Sequence, residues 1–539
     1  MEKEHLGRMG ITEKIKDVGN KLEGIASTVL LFICMILFGA LTYYSARYTW
    51  LEDEGIPYDT QDNMWMNLLV LFGSILILFV FYKILKHKKM AAVEERIKAW
   101  MPGIVALVTF GLYIISALWV EYCHVQPVGD GMILCQAAHR MLLDNYVDMK
   151  EKGYMFIFPH QYGLLSVIHF IFSRFGIMNY KVFQHINAAC VPLLFYCGYQ
   201  IIKLIYNKVG AIISYMILFV TCVPFFLYVP YVYGEVISIT FTVVLMWQVI
   251  RFCKSGKRSS FLWGTIAIII ACYVRNNSII VLIAVGIVLL VHSVKEAKPR
   301  GIIWLLIMFL LVSGSHRMVE AYYENASGLE ISGGVPYISW VRMGLQDSWT
   351  GPGWFDNTSI EMFAENGYDT EQTILAEQVR LKEMLADMWE DKSGTIDFFR
   401  RKILSQWNSP GYHYRYETKM FDCEPHEFST FVRKIYFDDE VKVLAFLNRY
   451  HFLVYFFVTV LTILLLVKKK ERGGLPNYLL YIAIIGGFLF TAMWESGSRY
   501  VLPYFMYMIP LAAIGAYQLV KIIDRLCNVK KSEMVKGDN

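Results

Sequence analysis

What this chain has least of is charge. Asp, Glu, Lys and Arg make up 18% of its 539 residues, whereas hydrophobic residues make up 56% and mean hydropathy is +0.41. A soluble chain of this length divides into several domains and carries more charge, so that class is excluded. Barrel-type apolar–polar alternation is also missing, which leaves helices as the structure able to satisfy its own backbone in lipid. The net charge of +5 comes from short basic clusters between apolar blocks rather than one continuous patch, so nucleic acid is not an expected partner. The ten cysteines form no CxxC pair and no His/Cys metal spacing; most fall inside apolar blocks, where cysteine behaves as a small hydrophobe. No internal repeat is visible. The first apolar block, residues 25–48, is too long for a cleavable signal peptide and lacks a small-residue cleavage site.

What is present is a succession of apolar blocks of about 17 to 24 residues, each long enough to cross about 30 Å of hydrocarbon as a helix. The expected fold is therefore all-α and polytopic, with roughly twelve spans near residues 25–48, 64–84, 101–120, 181–203, 210–228, 236–252, 260–275, 277–294, 301–320, 450–467, 476–494 and 499–521. Lys3, Arg8, Lys14, Lys16 and Lys21 place the N-terminus in the cytoplasm. If the short segment 161–175 (QYGLLSVIHFIFSRF) crossed fully, every later basic cluster would face outward. Reading it as a juxtamembrane or re-entrant helix keeps KLIYNK, RFCKSGKR, HSVKEAKPR, KKKERGG and KIIDRLCNVKK inside, with both termini cytoplasmic.

Cytoplasmic loops are then all short, and two external segments are long, about 121–180 and 321–449. Long loops usually carry function, so the work of the protein is expected on the outer face. The chain divides into 1–100 with two spans, a transmembrane core 101–320, an external subdomain 321–449, and C-terminal helices 450–539. In the subdomain, residues 370–391 carry Leu375, Val379, Leu385 and Trp389 on helical spacing, and Ser393 or Thr395 is the expected cap of a following helix, 395–407. The Gly-, Pro- and Trp-rich stretch 332–354 reads as packed loops.

Five external stretches hold the chemistry-bearing residues. Asp130 in VGDGM is either a turn residue that starts a helix or a reactive carboxylate. Glu235 follows Tyr231 and Tyr233 in YVYGE, as a helix N-terminus or a site residue. Arg275 and Asn276 lie in YVRNN; an outward arginine runs against the positive-inside bias, and either snorkels to headgroups or binds phosphate through its forked donors. Glu495 and Arg499 flank the turn in WESGSRY, four residues apart, either bridged to each other or part of a site. His160 and Gln161 in FPHQYG have no other His or Cys nearby, so no metal is assigned. Together these residues describe an outer-leaflet cavity with two carboxylates and two arginines, suited to a lipid-phosphate leaving group and a hydroxyl nucleophile. Nucleotide sugars do not cross a bilayer unaided, so an outward-facing transferase needs a donor already in the membrane.

At these residues the chain resembles the C superfamily of glycosyltransferases, and most of all bacterial relatives of the dolichyl- or polyprenyl-phosphate-sugar-dependent protein O-mannosyltransferases. The resemblance runs along much of the chain: P-x-x-D (Pro127 to Asp130) before a helix containing QAA, GYMFIFPHQYGLL, YGE, YVRNN, GVPYISWVRMGL, and E-x-x-x-RY near the last span. It departs in having two extra spans at the N-terminus, and Gly131 where many relatives have an acid. The resemblance implies inverting transfer of a sugar from a polyprenyl-phosphate donor to a hydroxyl of an envelope glycan, lipid or protein, at the outer face of the cytoplasmic membrane. Asp130 would be the catalytic base. Arg275 and Arg499 would hold the departing phosphate, and Glu235 would orient the acceptor or bind a divalent ion. His160, Gln161, Tyr233, Asn276 and Glu495 would line the substrate. No cofactor is implied with certainty, and a divalent cation stays open. The alternative class is a transporter or flippase for an envelope lipid or polysaccharide, for which midplane charges on broken helices and repeated halves are the expected marks.

Overall fold

A computed structural model of the protein describes every residue except 1, 54–55, 87–90, 419–431, 433, 439, 469–471 and 538–539. The chain runs α1 (Glu2–Arg47), an antiparallel hairpin of β1 (Tyr48–Asp53) and β2 (Ile56–Gln61), α2 (Met64–Lys86), α3 (Ala91–Cys123), α4 (Gly129–Met141), α5 (Tyr154–Ile157), α6 (Tyr162–Phe175), α7 (Lys181–Ile205), α8 (Val209–Val220), α9 (Val223–Leu227), α10 (Glu235–Ser255), α11 (Ser259–Val274), α12 (Ile279–Glu296) and α13 (Arg300–Ser327). There follow α14 (Tyr337–Gly344), the short strands β3 (Asp347–Ser348) and β4 (Gly351–Pro352), α15 (Thr358–Glu365), α16 (Thr370–Glu390), α17 (Lys392–Trp407), α18 (Tyr414–Thr418), α19 (Glu440–Val467), α20 (Leu479–Met493) and α21 (Leu502–Gly537).

The fold is an all-α, multi-pass membrane bundle. Among the described residues ten helices are long and apolar enough to cross a membrane, and α8 and α11 are shorter apolar helices, so the expected twelve segments all appear. α10 and α21 are largely covered by other helices, whereas α2 presents most of its apolar surface outward. The segment 161–175 belongs to a bent pair, 147–157 and 159–175, with 97° between its halves. The two long segments share one end of the bundle with the turns at 228–235, 274–278 and 494–500; this end is called the loop face below. Val335 N–H donates to Ile157 O (3.1 Å), and the hydroxyl of Tyr228 donates to the carbonyl of Tyr412.

Three expectations need correction. The span 210–228 is not continuous: α8 stops at Val220, because Pro224 has no N–H to donate and constrains Val223. The carbonyl of Leu218 freed near the break accepts from the hydroxyl of Tyr450 (2.6 Å). Neither Ser393 nor Thr395 caps α17. The cap is Asp391, whose carboxylate accepts from Gly394 N–H (2.9 Å). The stretch 332–354 contains a helix, α14, rather than loops alone. The helical periodicity in 370–391 is real, but its apolar side faces out, with Leu375, Val379, Leu385 and Trp389 exposed by 65, 58, 48 and 75%.

What α16 buries instead is a charge. Glu377 takes Arg342 of α14 through Nε (2.8 Å) and Nη2 (3.3 Å), both side chains buried. Removing one member leaves the other charged and unpaired, which costs about 3–5 kcal/mol. Glu377→Ala is therefore expected to loosen the 330–407 segment, read as a large fall in melting temperature and early proteolysis between α14 and α16. Leu375→Ala on the exposed side should leave both unchanged.

Candidate functional site

The site starts from a close backbone approach. Gly131, in the first turn of α4, lies against the 228–235 segment, and a Cβ added there would meet Val232 O at 2.6 Å. There is no room at this position for the acid that many members of the resembled superfamily carry. The approach fixes Asp130 one residue earlier, at a helix N-terminus where a carboxylate is favoured by the helix dipole. Its side chain is 36% exposed and lies 3.9 Å from Arg499 Nη2, and its charge, after burial and Tyr233, helps to raise the nearby Tyr154 phenol.

A second close approach builds the other half. Gly234 sits against Val274 O, which a Cβ would meet at 2.4 Å. This brings the start of α10 beside Arg275, and Glu235 Oε1 lies 2.9 Å from Arg275 Nη1. Side chains of α7 hold the intervening backbone: Gln184 donates to Val125 O and Pro230 O (2.8 and 2.7 Å), and Asn187 donates to Val229 O and Tyr231 O (3.0 and 2.8 Å). The two arginines meet over aromatic rings. Arg275 and Arg499 lie 5.3 and 5.8 Å from the Tyr233 centroid, and 5.5 and 5.4 Å from that of Tyr500. Cation–π attraction of this kind is strongest where water is excluded.

The turn bearing Glu495 and Arg499 is clamped by α17. Lys402 Nζ donates to the carbonyls of Gly344 and Trp494, the latter at 2.7 Å. Gln406 reaches Thr491 O and Ser496 Oγ (both 3.2 Å), and Trp407 Nε1 donates to Thr491 Oγ1 (2.9 Å). Ser496 N–H in turn donates to Gly353 O (2.7 Å). Arg499 is paired from the far side by Glu417 of α18 (Nη1–Oε1 2.5 Å) and donates to the Tyr231 hydroxyl (3.2 Å). Burial works against the Glu417 carboxylate. The charges of Arg499 and His413 and the hydrogen bonds of Tyr231 and Arg499 outweigh it and hold the group below its ordinary range. Glu495 is the opposite case: burial, with Asp130 nearby and despite Arg499, pushes it up to about 7. Burial likewise pushes the Lys402 ammonium down to about 7, and Glu495 opposes that shift.

Below the arginines a narrow cleft runs between α10, α12 and α21, lined by Arg275 and Tyr500 at one end and by Ser238, Thr242, Tyr504 and Tyr507 among others. Its lining is mixed, with Ile239, Val281 and Pro503 beside the hydroxyls of Ser238, Thr242, Ser278 and three tyrosines, and the guanidinium at one end suits a phosphate.

Of the residues expected in the site, Asp130, Arg275, Arg499, Tyr233, Gln161 and Glu495 are brought together. Gln161 donates to the Tyr233 hydroxyl, which makes it a support of that ring. His160 is exposed, packs edge-on to Phe158 (6.1 Å), and lies within reach of Arg275's charge. Glu235 also joins this group, but buried: its side chain is 1% exposed and pairs with Arg275, because a buried guanidinium needs a counter-charge. Glu495 does not bridge Arg499; it accepts from the Tyr500 hydroxyl (3.4 Å), and Glu417 takes the arginine. Asn277 rather than Asn276 lines the cleft. Among the described residues no group of three His, Cys, Asp or Glu side chains is arranged to hold a metal ion. Glu417, Tyr154 and Tyr500 escaped the sequence reading. The one local signal for Glu417 was the four-residue spacing His413–Glu417, whose ring Nδ1 and carboxylate lie 3.7 Å apart.

A bundle of this form, with its charges gathered at one end of the helices, defines a multi-pass integral membrane protein. Residues 21–520 match a family described as conserved hypothetical integral membrane protein, and the chain belongs to that family. No curated protein matches the sequence.

Two outcomes follow from this geometry. Gly131→Ala should push the start of α4 off Val232 and cost about 1–3 kcal/mol in thermal unfolding, while Gly103→Ala, with no atom within 4 Å of the added methyl, should cost nothing measurable. Glu495 holds its proton up to about pH 7 against an ordinary 4.5. The stability contributed by its protonated form is therefore complete below pH 4.5 and lost as pH rises through 7. A pH series of melting temperatures should show this fall in the wild type and a flatter profile in Glu495→Gln.

Proposed function

We propose that this protein is a membrane glycosyltransferase that moves a sugar from a polyprenyl-phosphate donor to an acceptor hydroxyl in the cell envelope. The observation that carries the reading is the geometry at the loop face: a half-exposed carboxylate, Asp130, 3.9 Å from an arginine that shares two tyrosine rings with a second arginine at the mouth of a cleft between helices.

In this reading the acceptor oxygen attacks the anomeric carbon while Asp130 takes its proton. The bond from that carbon to the phosphate oxygen breaks, and its electron pair leaves with the polyprenyl phosphate. Displacement from the opposite side inverts the anomeric centre. In this reading the proton moves late, as the leaving group departs. Arg499 keeps Nη2 toward Asp130 while Nη1 is held by Glu417, so it can receive a phosphate oxygen without losing its anchor. Charge that grows on the leaving oxygen is stabilised by these pre-oriented donors. Glu235 acts through Arg275 and has no contact with the acceptor. The membrane is the cytoplasmic membrane, with the loop face outside and both termini inside, consistent with the basic clusters at the opposite ends of the helices.

The test is release of free polyprenyl phosphate by purified protein from a panel of polyprenyl-phosphate sugars. Asp130→Asn should slow release by about 10²–10⁴. Release at equal rates by wild type and variant would remove Asp130 from its role, and no release from any donor by the wild type would sink the reading.

A further inference from the structure

The loop face holds a second cleft that the site above does not use. It is a shallow cleft, open to the outside, between the N-terminal hairpin and the 409–416 segment, with Trp50, Glu52, Tyr58, Ser409, His413 and Tyr416 among its lining residues. The hairpin is tied there by its backbone: Trp50 N–H donates to Asn408 O (3.0 Å), and Asn408 Nδ2 donates to Tyr48 O (2.8 Å). Glu52 is pulled inward with its side chain 5% exposed. One carboxylate oxygen, Oε1, accepts from the Ser409 hydroxyl (3.1 Å). The other, Oε2, forms an ion pair with His413 Nε2 at 3.4 Å, but the two are not aligned as a hydrogen bond and neither atom has another hydrogen-bond partner. Buried polar atoms are nearly always hydrogen-bonded, so this pair leaves hydrogen-bonding capacity open to an occupant of the cleft.

The walls say what that occupant is. Tyr416 stacks on His413, with centroids 4.8 Å apart and planes 8° apart, and its own ring is 41% exposed. Tyr58, 45% exposed, lies on the hairpin side, and Trp50 backs the cleft. We propose that this cleft is a saccharide subsite, and that it binds a pyranose ring of the acceptor. Two neighbouring hydroxyls of such a ring match the polar pair, one donating to Glu52 Oε2 and one pairing with His413 Nε2. The C–H faces of the ring lie on the tyrosines. A carboxylate at the polar end disfavours an anionic occupant. His413 Nδ1 faces Glu417, which holds Arg499, which faces Asp130. A ring in the cleft is thus separated from Asp130 by an ion pair, and belongs to a sugar next to the reacting one rather than the reacting one itself. The acceptor is then a glycan of more than one unit, an assignment that rests on the transferase reading.

The test uses the full chain purified in a non-glycosidic detergent and saturation-transfer NMR with the methyl glycosides of mannose, glucose, galactose and N-acetylglucosamine. At least one glycoside should show transfer. Its binding should weaken about tenfold in Glu52→Gln, as expected for loss of a hydrogen bond to a charged group, and also in the surface variant Tyr416→Ala, whose melting temperature should match wild type. No transfer from any glycoside, or equal binding by wild type and both variants, overturns the subsite. Polyprenyl-phosphate release measured in parallel separates the two ideas. Release without glycoside binding rejects the subsite alone, and glycoside binding without release supports the subsite while rejecting the transferase.

Discussion

Two guanidinium groups withdrawn from water at the end of a helix bundle set the terms for everything around them. An arginine in such a place has to be paired, and the pairing dictates the neighbourhood. Arg275 is answered by Glu235 from the first turn of α10, which requires the 228–235 segment to run against the end of α11. Arg499 is answered by Glu417 from a segment more than eighty residues earlier in the chain, which requires the whole 321–418 stretch to fold back over the bundle. The clamp of α17 on the 491–497 turn, the tyrosines between the arginines, and the hairpin behind His413 all serve these two demands.

The two arginines are not equivalent. Arg275 is closed in, with its carboxylate partner beside it and a cleft between helices below. Arg499 has one nitrogen committed to Glu417 and another turned to the half-exposed Asp130. This asymmetry separates a fixed positive field from a donor that can change partners. That separation suits a site where negative charge arrives with one substrate and increases on the leaving group.

How much of this could be read from the sequence depended on the range of the interaction. Spans were legible because twenty apolar residues are a local property, and so were the residues at their ends: Asp130, Arg275 and Arg499 stood out as charges where lipid leaves little room for them. The break after α8 had a local cause in Pro224 and was overlooked only because the surrounding residues are so uniformly apolar. The apolar stripe on α16 was legible only in part. Periodicity gives the helix correctly, but which side is buried is decided by Arg342, thirty-five residues away in sequence. Glu417 was beyond reach for the same reason, since nothing nearby distinguishes a carboxylate that meets Arg499 from one that meets water. The need for glycine at 131 was not legible either, because its cause, Val232 O, lies on a distant segment of the chain.

The hairpin between the two N-terminal spans brings a last consequence. In the proposed reading it contributes Trp50, Glu52 and Tyr58 to a recognition wall, while the reacting groups lie on other stretches of the chain. Selectivity and chemistry are thereby carried on separable parts of the sequence. On that reading, change within β1 and β2 alters which glycan is recognised while Asp130, Arg275 and Arg499 stay as they are.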